Sequence, residues 1–464
     1  MPARSRPGWG LRDKLAAHQQ RRGSEWRTLG RDLRARCARS THDEWRAPND
    51  RPDPVSLLEG SNRTRLPDLV PVRYGRMLES PFSFYRGAPL IMASDLSHTP
   101  STGIRIQICG DAHLLNFGTY ATPERNVIFD VNDFDETHVG PWEWDVKRLA
   151  ASIVVAARTT GLADVKGVEA VHRASAEYRS TMSALAELSP FEVWHSHIDV
   201  DAIVAAAPTM PARAEVQKVV AKARRRTSLQ ALSKLTTVVD GKRVIVEDPP
   251  LVTRLTSEEV KQARRFAEAY RRRLDPDRRL LLDRYEFVDA ARKVVGVGSV
   301  GTQCFIVLLA AAVDLDPLFL QIKEAQPSVL APFVGRSSYN NQGQRVVVGQ
   351  RTMQAASDVF LGWARADGFD AYVRQLRDMK GSAQLDAPDA SGLIDYGRLC
   401  GATLARAHGR AGEPALLAGY MGSGSAFDDA LARFAVAYAD QNDRDYEAFV
   451  AAVNSGRLPA VRGR

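Results

Sequence analysis

Apolar residues alternate at Ile104, Ile106 and Ile108, which predicts a strand running into Gly110. Val127 to Phe129 predicts a second strand close behind it. From Trp144 to about Ser189 the spacing turns helical, with Leu149, Ile153, Val154 and Ala157 on one face. Residues 190–285 read as helical and highly charged, interrupted by a predicted hairpin over Val238–Val246 with Asp240-Gly241 as its turn. Helix returns over 250–282. Strands are then predicted over Thr302–Leu309, Leu318–Lys323 and Tyr372–Leu376, with a helix over 341–363 between the last two. The chain closes with helices over Ile394–Arg410 and Phe427–Val450. At the start, Leu11–Gln20 and Trp26–Cys37 suit short amphipathic helices, and Asn49–Pro54 is a turn-rich break. The pattern is that of an α+β protein.

At 464 residues the chain exceeds one ordinary core, so two or three packed subdomains are expected. Its 44% hydrophobic and 25% charged residues suit a soluble globular protein. The net charge is +8, and the first 50 residues alone hold 12 Arg and Lys against 6 Asp and Glu. Such a balance suits nucleic acid, a phosphate-bearing ligand or plain solubility. No aromatics interleave with a basic run and no zinc or helix-turn-helix signature is present, so nucleic acid is an unlikely partner. The run Lys222–Arg226 reads as a solvated helix face. Cys37, Cys109, Cys304 and Cys400 are scattered, as reduced cytoplasmic thiols are. The longest apolar run, Cys304–Val313, falls far short of the ~20 residues of a membrane span. No apolar stretch backs the N-terminal charges as a signal peptide would. A cytoplasmic protein without a membrane span is expected. Nothing in the pattern fixes its oligomeric state.

The chemistry concentrates between Cys109 and Glu136. Asp111, His113 and Asn116 sit on the loop after the first strand, and the second strand delivers Asp130, Asp133 and Asp135. This set suits phosphoryl transfer with a divalent ion. Asp111 would accept the proton of an attacking hydroxyl. Asn116 and Asp133, with Asp130 as the competing carboxylate, would offer oxygen ligands to Mg²⁺, which takes one or two carboxylates beside phosphate oxygens. The ion would neutralise charge on the transferring group. Asp and Asn are also ordinary turn residues with local hydrogen bonds, which is the structural alternative.

A second informative stretch begins at Lys293. Gly296, Gly298 and Gly301 fit G-x-G-x-x-G, with Ser299 among them. The pattern serves a Rossmann turn when a helix follows, or a flap over nucleotide phosphates when it joins two strands. Strand-forming residues follow here, and a third strand ends on Lys323, where kinases hold the lysine that grips the phosphates. The kinase alternative is favoured. Ahead of the loop, Arg73, Arg76 and Arg86 lie among Phe82, Phe84 and Tyr85. They would either clamp phosphate, Arg86 foremost, or pair with the acidic strand end at 130–136.

Gly110-Asp111-Ala112-His113-Leu114-Leu115-Asn116 resembles the G-D-x-H-x-x-N catalytic loop of aminoglycoside phosphotransferases and related kinase-like enzymes. Asp133-Phe134-Asp135 stands where kinases keep D-F-G, with Asp135 in place of the glycine. Asp145 resembles the aspartate that follows the metal strand in that superfamily. The helix ending L-A-R-A-H-G-R resembles the one preceding the catalytic loop, and His408 reads as a helix-end residue. The order is rotated, with the aspartate loop ahead of the glycine loop, as circular permutation produces. P-F-S-F-Y-R-G, G-D-A-H-L-L-N-F-G, V-G-V-G-S-V-G and L-Q-I-K-E-A together resemble the bacterial family known as domain of unknown function 2252.

The resemblance implies a kinase-like α+β fold in permuted order: a basic arm (1–60), a catalytic-loop and helical lobe (61–285), a glycine-loop β lobe (286–380), and C-terminal helices packing back (381–464). It implies ATP or GTP with Mg²⁺ and an unidentified hydroxyl acceptor. Gly296, Gly298, Ser299 and Gly301 would cover the phosphates, Lys323 and Arg86 would bind them, and His113 would brace the loop beside the base Asp111. Kinases also pair the lysine with a helix glutamate. The stretch 341–363 holds none, leaving Gln350, Gln354 or Asp358 as substitutes. Three alternatives stand beside this one. The first is nucleotidyl transfer. The second is a metal-dependent hydrolase using Asp111, His113, Asp130 and Asp133. The third is a non-catalytic nucleotide-binding pseudokinase.

Overall fold

The computed structural model describes residues 23–206, 228–311, 316–376, 381–382 and 389–462, with Gln217, Lys218, Ala221 and Arg224 between. The helix expected over Leu11–Gln20 and most of the run Lys222–Arg226 lie outside them.

The chain first builds short helices, among them α1 (Val70–Met77) and α2 (Pro81–Gly87). α2 starts where it does because Ser80 Oγ accepts the amide of Ser83 at 3.0 Å and Pro81 takes the first turn, where no donor is needed. Strand β1 (Arg105–Ile108) pairs antiparallel with β4 (His138–Pro141). Between them β2 (Phe117–Ala121) pairs antiparallel with β3 (Val127–Val131), Thr119 opposite Phe129. Both predicted strands are therefore present, and each leads to an acidic loop.

Helix α3 (Trp142–Thr159) follows and is buried from Trp142 to Ala157. A helix buried all round sits inside a core. It packs against α4 (Asp164–Leu185), and these two helices make up the helical stretch expected from Trp144 to about Ser189. Charged side chains on so deep a helix need partners, and most of them brace the loops above.

The sheet lobe starts at the hairpin Thr236–Ile245, turning at Asp240-Gly241 as expected. Helix α5 (Ser257–Arg273) lays Phe266 and Tyr270 on one face of a six-stranded antiparallel sheet, against Phe305 and Phe369. Its strands are β5 (Val252–Arg254), β6 (Tyr285–Lys293), β7 (Cys304–Ala311), β8 (Pro317–Glu324), β9 (Gly362–Ala366) and β10 (Phe369–Gln375). Their order across the sheet is β9-β10-β8-β7-β6-β5. The glycine-rich segment joins β6 to β7, which pair antiparallel, so a strand follows it and not a Rossmann helix. Gly296 and Gly301 there have φ of +64° and +91°, which favours glycine.

Helix α6 (Gln342–Met353) lies between β8 and β9. It is shorter than the expected 341–363, because Gln354 is already extended at ψ 147°. Two long helices, α7 (Ala390–Ala411) and α8 (Ala426–Asn454), close the chain and pack against α4 and α3 respectively. A separate apolar cluster joins Val55, Leu58, Met77 and Phe84 to Val297 of the glycine turn and Phe449 of α8. The segment ahead of β1 is thereby wedged between the turn and the last helix. Among the described residues no helix is long and apolar enough to cross a membrane.

Candidate functional site

A cleft of about 1610 Å³ opens between the sheet lobe and the loops after β1 and β3. Asp111, Asn116, Asp133 and Asp135 line one wall, and Gly298 and Ser299 line the other.

The Asp111 loop is held from beneath. Gly110 has φ +81°, and a Cβ there would collide with the carbonyl oxygen of Glu136. Asp145, on α3, accepts the amides of Cys109 at 2.8 Å and Gly110 at 2.9 Å. Asp145 is held in turn by His408 Nε2 at 3.2 Å, whose Nδ1 meets Tyr178 at 2.8 Å. Both Asp145 and His408 are buried and serve as braces. Ser152 Oγ, two turns along α3, accepts the Leu114 amide at 2.9 Å.

Asp111 receives Arg148 Nε at 2.9 Å. Burial pushes its carboxyl above the usual range, and the Arg148 charge opposes that push. Arg148 lies 3.8 Å from the centre of the Tyr85 ring and donates to the Tyr85 carbonyl at 2.8 Å, which fixes its direction. His113 Nε2 is 3.9 Å from Asp111 Oδ2. Burial, then Arg86 and Arg148, hold its pKa well below the ordinary value, so the imidazole is neutral. Asn116 Nδ2 donates to the carbonyls of Asp111 at 2.9 Å and Asp133 at 3.1 Å, tying the two loops together.

Asp135 is the junction of the two lobes. Its carboxylate pairs with Lys323, accepts Tyr372 Oη at 2.7 Å and Ser299 Oγ at 3.0 Å. Lys323 and Tyr372 stand opposite each other on β8 and β10, so the sheet register aims both at one acid. Burial works against ionisation of Asp135, and the Lys323 charge with these hydrogen bonds overcomes it, lowering the pKa to about 2. Lys323 is 2% exposed, and the acids Asp133 and Asp135 raise its pKa against the effect of burial. The glycine-loop residues Gly296, Gly298 and Ser299 face the same cleft, whereas Gly301 packs its Cα against the Arg65 side chain.

The structure does not bring Asp130 to the others. It is fully buried, paired with Arg406, and it accepts the amides of Val131 and Ala355 at 2.9 Å each. Asp133 does line the cleft. Gln350 bonds Gln354 at 2.8 Å, Gln354 reaches the Val131 carbonyl at 2.6 Å, and Asp358 accepts the Phe360 amide at 2.9 Å. None of these bonds is to Lys323, whose acid is Asp135. From α6 it is Arg345 that reaches the site, donating to the carbonyls of Asp135 at 2.8 Å and Thr137 at 2.6 Å. Arg73 donates to the Gly87 carbonyl at 2.6 Å and to Asn62, and Arg76 to the Gly296 carbonyl. Arg86 lines the cleft.

Sequence reasoning missed Arg148, Tyr372 and the part played by Asp135. Arg148 follows Asp145 by three residues, a spacing that puts both on one helix face, and that signal was available. Tyr372 becomes visible only once β8 and β10 are paired.

Among the described residues no three His, Cys, Asp or Glu side chains converge as a metal cage. Asn116 and Asp133 offer one amide and one carboxylate, a donor set that suits a hard cation completing its shell with phosphate and water. Comparison with curated proteins and with solved structures finds no match. A family model described as "Uncharacterized protein conserved in bacteria (DUF2252)" matches residues 65–452. The chain belongs to this bacterial family.

Proposed function

We propose that the protein is a phosphotransferase of kinase-like, circularly permuted architecture, acting in the cytoplasm on an unidentified hydroxyl acceptor with ATP or GTP and Mg²⁺. The observation that carries this reading is the convergence of Lys323 and Ser299 from the sheet lobe on Asp135, beside the loop of Asp111, Asn116 and Asp133. A glycine turn joining two antiparallel strands, a lysine on the next strand and a helix after it follow the order of the kinase nucleotide lobe.

In this reading the turn at Gly296, Gly298 and Ser299 covers the phosphates and Lys323 binds them. Asp111, raised by burial and aimed by Arg148, accepts the proton of the acceptor hydroxyl. Asn116 and Asp133 would hold Mg²⁺, which neutralises phosphate charge when bound. His113, neutral and buried, shapes the loop. Asp135 stands in for the helix glutamate as the acid of Lys323. The hydrolase alternative loses Asp130, which is locked to Arg406 away from the cleft.

Calorimetric titration of Mg·ATP and Mg·GTP tests the reading. Saturable binding of at least one, abolished by chelation of Mg²⁺, is expected. Absence of binding by both would remove it.

A further inference from the structure

Arg86 lines the cleft yet its side chain makes no hydrogen bond and no ion pair with any described residue, and its Nε is buried without a partner. Of the other arginines along the cleft, Arg336 is exposed to solvent, and the rest are each occupied through at least one nitrogen. Arg65 donates to the Val300 carbonyl at 2.6 Å, and Arg73 to the Gly87 carbonyl. Arg345 donates to Thr137 and Asp135, and Arg374 to Gln321 at 2.9 Å. A guanidinium carries five donors, and here the Nε is buried without an acceptor, which is costly unless a ligand completes the set.

Its position says which ligand group. The carbonyl oxygen of Arg86 lies against the tip of the glycine turn, 3.4 Å from where a Cβ on Gly298 would sit. Val297 of that turn is buried with Phe84 of α2, and Arg76 of α1 holds the Gly296 carbonyl. The turn tip and the helix carrying Arg86 are therefore packed together. On its other side, the charges acting most on the Arg86 guanidinium are Asp111, Glu79 and Asp133, none within ion-pair distance. Arg86 thus spans the gap between the loop that covers nucleotide phosphates and the base that receives the acceptor's proton. In phosphoryl transfer that gap holds the group in transit, and an arginine placed there offsets its growing negative charge.

We infer that Arg86 is a catalytic arginine supplied in cis, whose guanidinium binds the terminal phosphoryl group of the nucleotide during transfer. The inference rests on the phosphotransferase reading and assigns Arg86 to the terminal phosphate rather than to the α- and β-phosphates. In the step it serves, the acceptor oxygen forms a bond to the terminal phosphorus. The bond from that phosphorus to the β,γ-bridging oxygen breaks, and its electron pair leaves with the nucleoside diphosphate. The acceptor's proton passes to Asp111. Arg86 exchanges no proton; it holds the equatorial oxygens.

The test compares Mg·ADP with the non-hydrolysable Mg·AMP-PNP on wild type, Arg86→Gln and Arg86→Lys by calorimetry. Because the Arg86 side chain bonds no described residue, its replacement leaves the fold intact, and ADP binding reports this directly. The expected result is unchanged ADP affinity in both variants with AMP-PNP affinity weakened at least tenfold in Arg86→Gln. Equal weakening for both nucleotides would place Arg86 on the shared phosphates and overturn the inference. No weakening for either would do the same. Failure of the wild type to bind any Mg·nucleotide would instead remove the phosphotransferase reading itself.

Discussion

Lys323 Nζ pairs with Asp135 Oδ2, while Tyr372, directly across the sheet from Lys323, donates to Oδ1 at 2.7 Å. One acid of the β3 loop thus holds two side chains of the sheet lobe, and Ser299 of the glycine turn makes a third. The lobes are fastened at the cleft between them.

Lys323 is buried and Asp135 partly so, and removing one partner strands the other. Lys323→Met and Asp135→Asn are each expected to destabilise by about 3–5 kcal/mol. The double variant should lose less than the two losses added together, because neither uncompensated charge remains. Urea unfolding of the four proteins checks this. Strictly additive losses would mean that the pair does not couple.

The Asp111 loop hangs on Asp145, which accepts two amides with its two oxygens. In Asp145→Asn one oxygen becomes an amide nitrogen facing an N–H, and a buried donor loses its partner at a cost of about 1–3 kcal/mol. Gly110→Ala should cost more, since φ +81° and the Glu136 carbonyl both exclude a side chain. Thermal unfolding should rank wild type above Asp145→Asn above Gly110→Ala.

Lys147 lies on α3 with its Nζ buried, without a hydrogen-bond partner, and 4.8 Å from the Phe434 ring centre. Burial lowers its pKa to about 8 against the pull of Glu143. The unfolded chain, with a lysine near 10.5, then binds more protons than the folded one between the two values. The Lys147 penalty is therefore complete below pH 8 and fades as pH rises to 10.5. Lys147→Met should be more stable than wild type at pH 7, and the gap should narrow across that window. A gap that is constant with pH would contradict the assignment.

How much was legible in the sequence follows from the range of each interaction. Period-two alternation marked β1, a short apolar run marked β3, and glycines followed by strand-forming residues marked the β6–β7 turn, because these signals are local. Asp111, Asn116 and Asp133 could be grouped because a short loop and one hairpin carry all three. The partner of Lys323 could not be read, since Asp135 lies 188 residues earlier and the two meet only across lobes. Asp130 and Asp133 looked alike for a similar reason. What separates them is Arg406, which approaches from α7 and takes Asp130 into the core. The mixed α+β class was readable. The sheet order and the wedge of residues 55–88 under the glycine turn depend on tertiary packing alone.

The most direct test of the proposed nucleotide–metal site is thermal unfolding with and without Mg·ATP for wild type, Asp133→Asn and Asp130→Asn. A ligand at ~100 times its dissociation constant adds ~2.7 kcal/mol to the native state. The account predicts a clear Mg²⁺-dependent rise for the wild type and none for Asp133→Asn, whose unliganded stability stays close to that of wild type. Asp130→Asn should unfold earlier by about 3–5 kcal/mol, from the broken Arg406 pair, yet keep the rise. No rise in the wild type with any nucleotide, or a rise that survives in Asp133→Asn, would contradict it.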